Sequence, residues 1–444
     1  MKLCRYPWLG MHFLTNGEVM VCPASQSSAS RGLTGERWSS GSSLAELRNS
    51  GILKKVRAEM LEGRLPEEFC SRCLAEENAG LESWRLKNEG SFKASDEDLV
   101  AGTQTDGSLK ETAPLLQQLS FRLSNRCNLK CRMCHPSSSR ALYEEWSALE
   151  SPRFRVGSDK VRLVRQGEIL TEELSPFSWF DGFFEVFKKE PQAFLNVEIF
   201  QFSGGEPLMD RNHLELLKLL IARNRAEHIT LEYASNLTIL PREVLKCWKH
   251  FKKVRVSVSW DGRKNAQEYI RFPLRYDSFV KNVERLDQAE GNFDLWVNST
   301  ISLLNVWDYP LFLREFLERG FGRYNIVDEG KKGRFFPSFH ILRKPEFLSL
   351  DRISPSGKQL LQSHYAESLP GIKEILRRRD LHVEDLDADF TGILNSVGAS
   401  PTEEESPLKE LRRQDTFRKM SYRDYVPELD RLISGRETEV ECAK

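Results

Sequence analysis

The sequence predicts an α/β protein built on parallel strands, with a small cysteine-rich α+β module ahead of them and a helical region after them. Three observations predict it. Strand-like and helix-like segments alternate through the middle of the chain as parallel βα units require. Cys4, Cys22, Cys70 and Cys73 form one loose group and Cys127, Cys131 and Cys134 a tight one. Beyond about residue 342 the pattern turns helical and charged.

The 444 residues suggest two to three domains at roughly 150 residues each. Lys+Arg and Asp+Glu both number 65, so no global field draws the chain to nucleic acid or to an anionic membrane, and neither is expected as a partner. Hydrophobic residues at 40% and charged residues at 29% fit a globular chain rather than a disordered one. No stretch of about 18 apolar residues is present, and the opening residues lack the apolar core of a signal peptide. The expected compartment is the cytoplasm. There the nine cysteines are reduced thiols, and their clustering points to metal binding or redox chemistry rather than to disulfides.

Residues 1–90 are expected to form the first module. Asn16-Gly17 marks a hairpin turn between half-buried strands that brings Cys4 and Cys22 together, a helix spans about 44–61, and Cys70 and Cys73 lie on a loop past it. Four thiolates suffice for one iron–sulfur cluster, and they equally describe a structural zinc. Residues 91–114 are polar, with little apolar periodicity, and read as a linker.

The parallel βα region is expected over 115–342. A strand at 119–123 leads into the loop of Cys127, Cys131 and Cys134, and a helix at about 138–149 follows. Three thiolates on one tight loop can hold three irons of a 4Fe-4S cluster and leave the fourth open; the alternative is a zinc knuckle completed by His135. An insertion, 151–191, comes next. Arg153, Arg155, Lys160, Arg162 and Arg165 in it suggest a basic hairpin, either solvated surface or a contact for an acidic substrate. Phe180, Phe183, Phe184 and Phe187 recur at helical spacing and suggest a face packed into a core.

A second strand, 197–202, runs into Ser203-Gly204-Gly205-Glu206-Pro207 and a helix at 211–223. Paired glycines let the backbone approach a ligand and offer its own polar groups. Further strands are expected at 228–233, 254–262, 293–303 and 337–341, with helices at 242–249, 276–288 and 309–319 between them. That makes six strands. Cys247 reads as a buried apolar residue and Cys442 as a tail thiol. Residues 343–444 read as short helices broken at Pro355, Pro370, Pro401 and Pro407, with Glu403-Glu404-Glu405 as an acidic block and an amphipathic helix at 417–433 closing the chain.

The cysteine loop and the glycine turn, in this order, resemble the signature of the radical SAM superfamily: C-x3-C-x2-C after the first strand of a partial (β/α)6 TIM-like barrel, and Gly-Gly-Glu-Pro after the second. The resemblance implies that Cys127, Cys131 and Cys134 ligate a 4Fe-4S cluster whose open iron binds the amino and carboxylate groups of S-adenosylmethionine. It places Met133 near the adenine, has Gly204, Gly205 and Glu206 bind the methionine amino group, and gives Ser259 the carboxylate or ribose, with Arg271 assisting. In a parallel barrel the C-terminal strand ends share one face, so Ser235, Asn236, Ser257 and Asn305 are expected to reach the same ligand; their alternative role is capping helices.

The N-terminal cysteines, with Pro7-Trp8, Asn16-Gly17 and Glu76, resemble a SPASM or twitch module, which implies an auxiliary 4Fe-4S cluster at Cys4, Cys22, Cys70 and Cys73, with zinc as the alternative occupant. Such a module normally follows the barrel; here it precedes it. The function implied is a radical SAM oxidoreductase that cleaves S-adenosylmethionine reductively and abstracts hydrogen from a peptide or protein side chain, served by an electron donor such as flavodoxin or ferredoxin. The rivals are a radical SAM enzyme acting on a small molecule or nucleotide, and a non-catalytic zinc-stabilised binding protein.

Overall fold

In the computed structural model the described residues are 3–434, apart from 16, 24, 26–42, 79–82, 88–89, 91, 137, 150–178, 190, 331, 384–385 and 399–406. The basic hairpin, the 403–405 acidic block and Cys442 lie outside them. The chain divides into two compact units: residues 1–127, 151–234 and 241–254 form the first, and 128–150, 235–240 and 255–444 the second.

The first unit is organised on five strands, β1 (Gly10–Phe13), β2 (Val19–Met20), β3 (Gln118–Arg122), β4 (Ile199–Ser203) and β5 (Thr230–Ser235, its last residue belonging to the second unit), in the spatial order β5-β4-β3-β1-β2. β1 pairs antiparallel with β2 and parallel with β3, with Phe13 opposite Phe121. β3, β4 and β5 are parallel neighbours, with Phe121 opposite Phe202 and Phe202 opposite Tyr233. Since side chains alternate along a strand, these aromatics share one face. The helix Trp179–Lys189 covers it: the ring of Phe121 lies 5.6 Å from Phe13, 5.3 Å from Phe180 and 5.2 Å from Phe183, and Phe187 lies 4.1 Å from Phe194. The phenylalanine periodicity therefore builds core, as expected. β1 and β2 are buried throughout rather than half-buried, because β1 has a strand on either side and lies under that aromatic layer.

The helix expected at 44–61 forms as two, Leu44–Arg48 and Gly51–Leu61, because Ser50 caps the second with its side chain accepting from Leu53 N–H. Residues 92–114, read as a linker, are built into this unit. They carry the helix Asp96–Ala101, and Trp8 Nε1 donates to Thr103 Oγ1 at 2.8 Å. The fully buried Arg57 donates to the carbonyls of Gly107 (2.7 Å), Pro7 (2.9 Å) and Arg48 (2.8 Å). The polarity that suggests solvent is thus a set of main-chain groups answered by one internal guanidinium. Gly107, at φ +82°, touches the 51–61 helix so closely that a Cβ would stand 2.0 Å from Lys54 O.

In the second unit β6 (Lys253–Ser259, its first two residues belonging to the first unit), β7 (Phe293–Ile301) and β10 (Ser338–Ile341) lie in the order β10-β7-β6, with β10 parallel to β7. The intervening helices are Lys264–Ile270, Tyr276–Asp287 and Tyr309–Glu318. Trp260 anchors their packing, with ring centroids 5.1 Å from Phe279 and 5.3 Å from Phe312. The six strands expected in the middle of the chain are β3, β4, β5, β6, β7 and β10, and their alternation with helices is the α/β, partial TIM-like fold.

The region after residue 342 is helical, with two departures from expectation. Pro355–Arg378 is one helix of 24 residues, opened by Ser354 as cap with Pro355 in its first turn and continuing through Pro370; a proline in the first turn forfeits no helical hydrogen bond. The closing amphipathic helix at 417–433 is replaced by two short helices, Tyr422–Tyr425 and Leu429–Ser434, after Pro407–Arg418 has ended, with Lys419 in the left-handed region at φ +55° and Ser421 capping anew. A small sheet of β8 (Ile326–Glu329), β9 (Lys332–Phe335) and β11 (Leu381–His382) was not anticipated. Among the described residues no helix is long and apolar enough to cross a membrane.

Candidate cofactor sites

In the first unit β3 runs out into the segment that ends at Cys127, and the glycine turn after β4 packs against it. Gly205 N–H donates to Ser124 O (2.7 Å) and Glu206 N–H to Arg126 O (2.7 Å). Both glycines are required. Gly204 has φ +110°, and a Cβ on Gly205 would lie 2.1 Å from Arg126 O. Glu206 is buried and its carboxylate accepts from Leu208 N–H at 3.2 Å, so it closes the turn while both glycines pack against the 124–126 main chain.

In the second unit the rest of the cysteine loop is held along its backbone. Lys130 N–H donates to Phe272 O (2.6 Å) and Arg132 N–H to Ile270 O (2.9 Å), while Cys134 N–H turns back onto Cys131 O (3.0 Å). Cys131 is buried and Cys134 half-buried. The Cys131 thiol is pulled down to about 7, chiefly by the hydrogen bond of Cys134 against the effect of burial, with the Arg271 and Arg418 cations adding to it. Arg271 Nη1 lies 3.8 Å from Cys131 Sγ. Burial works against the Arg271 charge, but Asp261, whose Oδ2 accepts from Nε at 2.7 Å, and the two thiols hold its pKa above the usual value.

Asp261 was missed as a site residue, although it lies two residues after Ser259, in Ser259-Trp260-Asp261-Gly262. It is wholly buried, and besides Arg271 its Oδ1 accepts from Thr300 N–H (2.9 Å) and its N–H donates to Gln267 Oε1 (2.7 Å). Also unread were Arg132, Glu145, Asp415 and Arg418. The Arg132 guanidinium donates to Tyr269 O (3.0 Å), Gln414 Oε1 (2.9 Å) and Asp415 Oδ1 (2.5 Å), and stacks 3.6 Å from the Tyr269 ring. Arg418 places Nε and Nη2 on the two oxygens of Glu145, each at 2.9 Å. The helix Pro407–Arg418 therefore grips both the loop and the segment after it.

The remaining candidates divide. Ser257 and Ser259 are half-buried on the face of β6 opposite Val254, Val256 and Val258, and among the described residues neither hydroxyl has a hydrogen-bond partner. Met133 is half-buried on the loop. Ser235 Oγ accepts from Leu237 N–H (2.9 Å), and Asn236 Oδ1 accepts from Thr238 N–H (2.9 Å) while its Nδ2 donates to Asn128 Oδ1 (3.2 Å). Asn305 is spent on the chain itself: Oδ1 accepts from Ser302 N–H (2.7 Å), and Nδ2 donates to Asp261 O (2.7 Å) and Thr300 O (3.1 Å). With both ends of its amide satisfied and no exposure, Asn305 matches the capping alternative better than a ligand contact.

The N-terminal cysteines come together in the first unit, where Cys4, Cys22, Cys70 and Cys73 line one cavity with Trp84 and Arg85. Cys70 and Cys73 lie not on a loop but in the helix Glu67–Asn78, where an i,i+3 spacing puts both on one face. Ser25 N–H donates to Cys22 Sγ at 3.2 Å. Burial, and after it the neighbouring thiols, push Cys4 up to about 11 and Cys70 up to about 12. Among the described residues no three His, Cys, Asp or Glu side chains converge tightly enough to share one metal ion. Cys247 is buried in its helix, as expected.

Residues 121–305 match the Radical SAM superfamily model. No curated protein matches the chain. Among solved structures the chain is similar to native anSMEcpe with bound AdoMet, at 17% identity over 65% of this chain and 69% of that one with a TM-score of 0.37. It is also similar to Streptococcus suis SuiB, at 12% identity over 84% of this chain and 70% of that one with a TM-score of 0.33. The family match opens inside β3, spans the cysteine loop and the glycine turn, and ends at Asn305: what the comparisons show is a radical SAM-like segment at residues 121–305, less than half of the chain.

Proposed function

We propose that the protein is a radical SAM oxidoreductase that generates a 5′-deoxyadenosyl radical and withdraws hydrogen from a peptide or protein side chain. The observation that carries the reading is the C-x3-C-x2-C loop inside the matched domain, with its middle thiol already acidic at about 7. A thiolate, not a thiol, ligates iron. Cys127, Cys131 and Cys134 would hold a 4Fe-4S cluster and S-adenosylmethionine, which when bound supply one-electron cleavage of the sulfonium bond.

The chain's own residues do the holding. Gly204 and Gly205, with Gly205 N–H itself held by Ser124 O, form the turn read as meeting the methionine end, and Ser257 and Ser259 offer two uncommitted hydroxyls. Arg271, fixed by Asp261, brings positive charge to the thiolates.

The N-terminal cavity is read as the seat of an auxiliary 4Fe-4S cluster on Cys4, Cys22, Cys70 and Cys73. Crowded thiols pushed up by burial and by one another gain most from a cationic metal group. The four thiols line one cavity, and the choice of an iron–sulfur cluster over a zinc ion rests on the resemblance to SPASM and twitch modules. The peptide substrate rests on the resemblance of this cysteine set to SPASM and twitch modules, and anSMEcpe has been solved with a bound Cp18Cys peptide. The proposed compartment is the cytoplasm, with flavodoxin or ferredoxin as electron donor.

The test is an anaerobic assay for 5′-deoxyadenosine with dithionite, run beside iron and sulfide counting. Wild type is expected to release the nucleoside, Cys131→Ala to release none, and Cys70→Ala to retain uncoupled cleavage. Zinc at both cysteine sets, or full cleavage by Cys131→Ala, ends the reading. Stimulation by metabolites rather than by peptides would reassign the substrate class.

A further inference from the structure

Resting on the radical SAM reading, we propose that Arg418, on the C-terminal helix and far from the signature motifs in sequence, is a cofactor-contacting residue whose free Nη1 donates to a sulfur of the iron–sulfur group on the cysteine loop. The side chain of Arg418 is 1% exposed and that of its partner Glu145 is fully buried. Glu145 takes Nε and Nη2 through both carboxylate oxygens, a fork that fixes the guanidinium plane. Nη1 is then left buried with no acceptor among the described residues. An unanswered buried donor costs about 1–3 kcal/mol, and more on a charged group, so the arrangement asks for an acceptor that the described residues do not supply.

The surroundings say which acceptor. The guanidinium centre lies 5.3 Å from the Phe272 ring, and Phe272 O takes the N–H of Lys130, the residue before Cys131. Arg271, next to Phe272, already directs Nη1 at Cys131 Sγ. One guanidinium thus touches a loop thiol directly and the second lies on the residue that holds the loop's main chain, which makes a cluster sulfur the acceptor the proposal assigns. A purely structural role would not call for this pair, because a buried ion pair seldom outperforms apolar residues of the same volume.

The full-length protein, reconstituted anaerobically, tests the proposal through an EPR-monitored redox titration of the cluster signal that changes on adding S-adenosylmethionine. Arg418→Met with Glu145→Gln removes the donor without stranding a buried charge. It should keep its iron, shift the midpoint to more negative potential, since a donor to sulfur favours the reduced state, and cleave S-adenosylmethionine about tenfold more slowly or worse. Arg418→Lys, which keeps the charge, should fall between. A double variant with the midpoint and spectrum of wild type overturns the proposal. If that variant does not fold, an Arg418→Lys protein indistinguishable from wild type overturns it as well. Wild type without any S-adenosylmethionine-responsive signal would sink the functional reading instead.

Discussion

Gly205 shows what one hydrogen atom is worth in the glycine turn. In Gly205→Ala the new methyl must displace Arg126 O, 2.1 Å away and itself bonded to Glu206 N–H. Overpacking of this kind costs about 1–3 kcal/mol, here against main chain that cannot rotate aside. A lower urea midpoint and loss of S-adenosylmethionine binding are expected, and wild-type values for both would show that the turn tolerates a side chain. Two buried histidines set the acid limit of the first unit. Burial holds His12 and His213 down to about 3 from 6.5, with the Arg122 charge adding to the effect at His12. Both are neutral in the fold, and the unfolded chain takes up their protons first. Stability is therefore full above about pH 6.5 and drains as pH falls towards 3, at up to about 1.4 kcal/mol per pH unit for each. His213→Phe should make the fall in urea midpoint between pH 7 and 5 shallower; an unchanged slope would mean that His213 does not carry it. The cysteines and paired glycines were legible because their chemistry is written in residue type and spacing. Glu145 and Arg418, 273 positions apart, carry no mark in a single sequence that they meet.

At the scale of elements, the helix Pro407–Arg418 has the largest consequence. It reads as an ordinary charged surface helix, yet Gln414, Asp415 and Arg418 are buried. Asp415 serves Arg132, the Tyr269 hydroxyl (2.9 Å) and Tyr422 N–H (2.7 Å), so one carboxylate joins the cysteine loop, the 264–270 helix and the next turn of chain. Asp415→Ala strands a buried guanidinium and is expected to cost about 3–5 kcal/mol. Asp415→Asn keeps an acceptor and should cost clearly less. Thermal unfolding would rank the two, and equal melting temperatures would show that the charge at Asp415 contributes nothing. Element types were readable wherever periodicity ran long, as in the 211–222 and 276–287 helices. They were misread where a local rule was outweighed, at Pro370 within a helix and at Lys419, where a left-handed residue breaks the closing pattern.

For the whole molecule, the order of segments along the chain is a poor guide to which of them fold together. Residues 1–90 look separable in sequence because their cysteines stand apart and a polar stretch follows. In the first unit, however, β1 lies beside β3 with all four of its residues in register, from Gly10 opposite Gln118 to Phe13 opposite Phe121. Arg57 and Gly107 tie the intervening stretch to the same body. No period or motif in β1, four residues long, could announce a parallel partner more than a hundred positions away. A chain starting at residue 115 would leave β3 as a bare edge and uncover the side of Phe121 that Phe13 now packs against, and an exposed apolar edge is a template for aggregation. That truncation is expected to be insoluble or to form large assemblies, although it retains the whole cysteine loop and glycine turn. Size-exclusion chromatography and circular dichroism of the purified fragment would decide it: a monomeric, cooperatively folded 115–444 chain would show that the N-terminal residues are a detachable module after all.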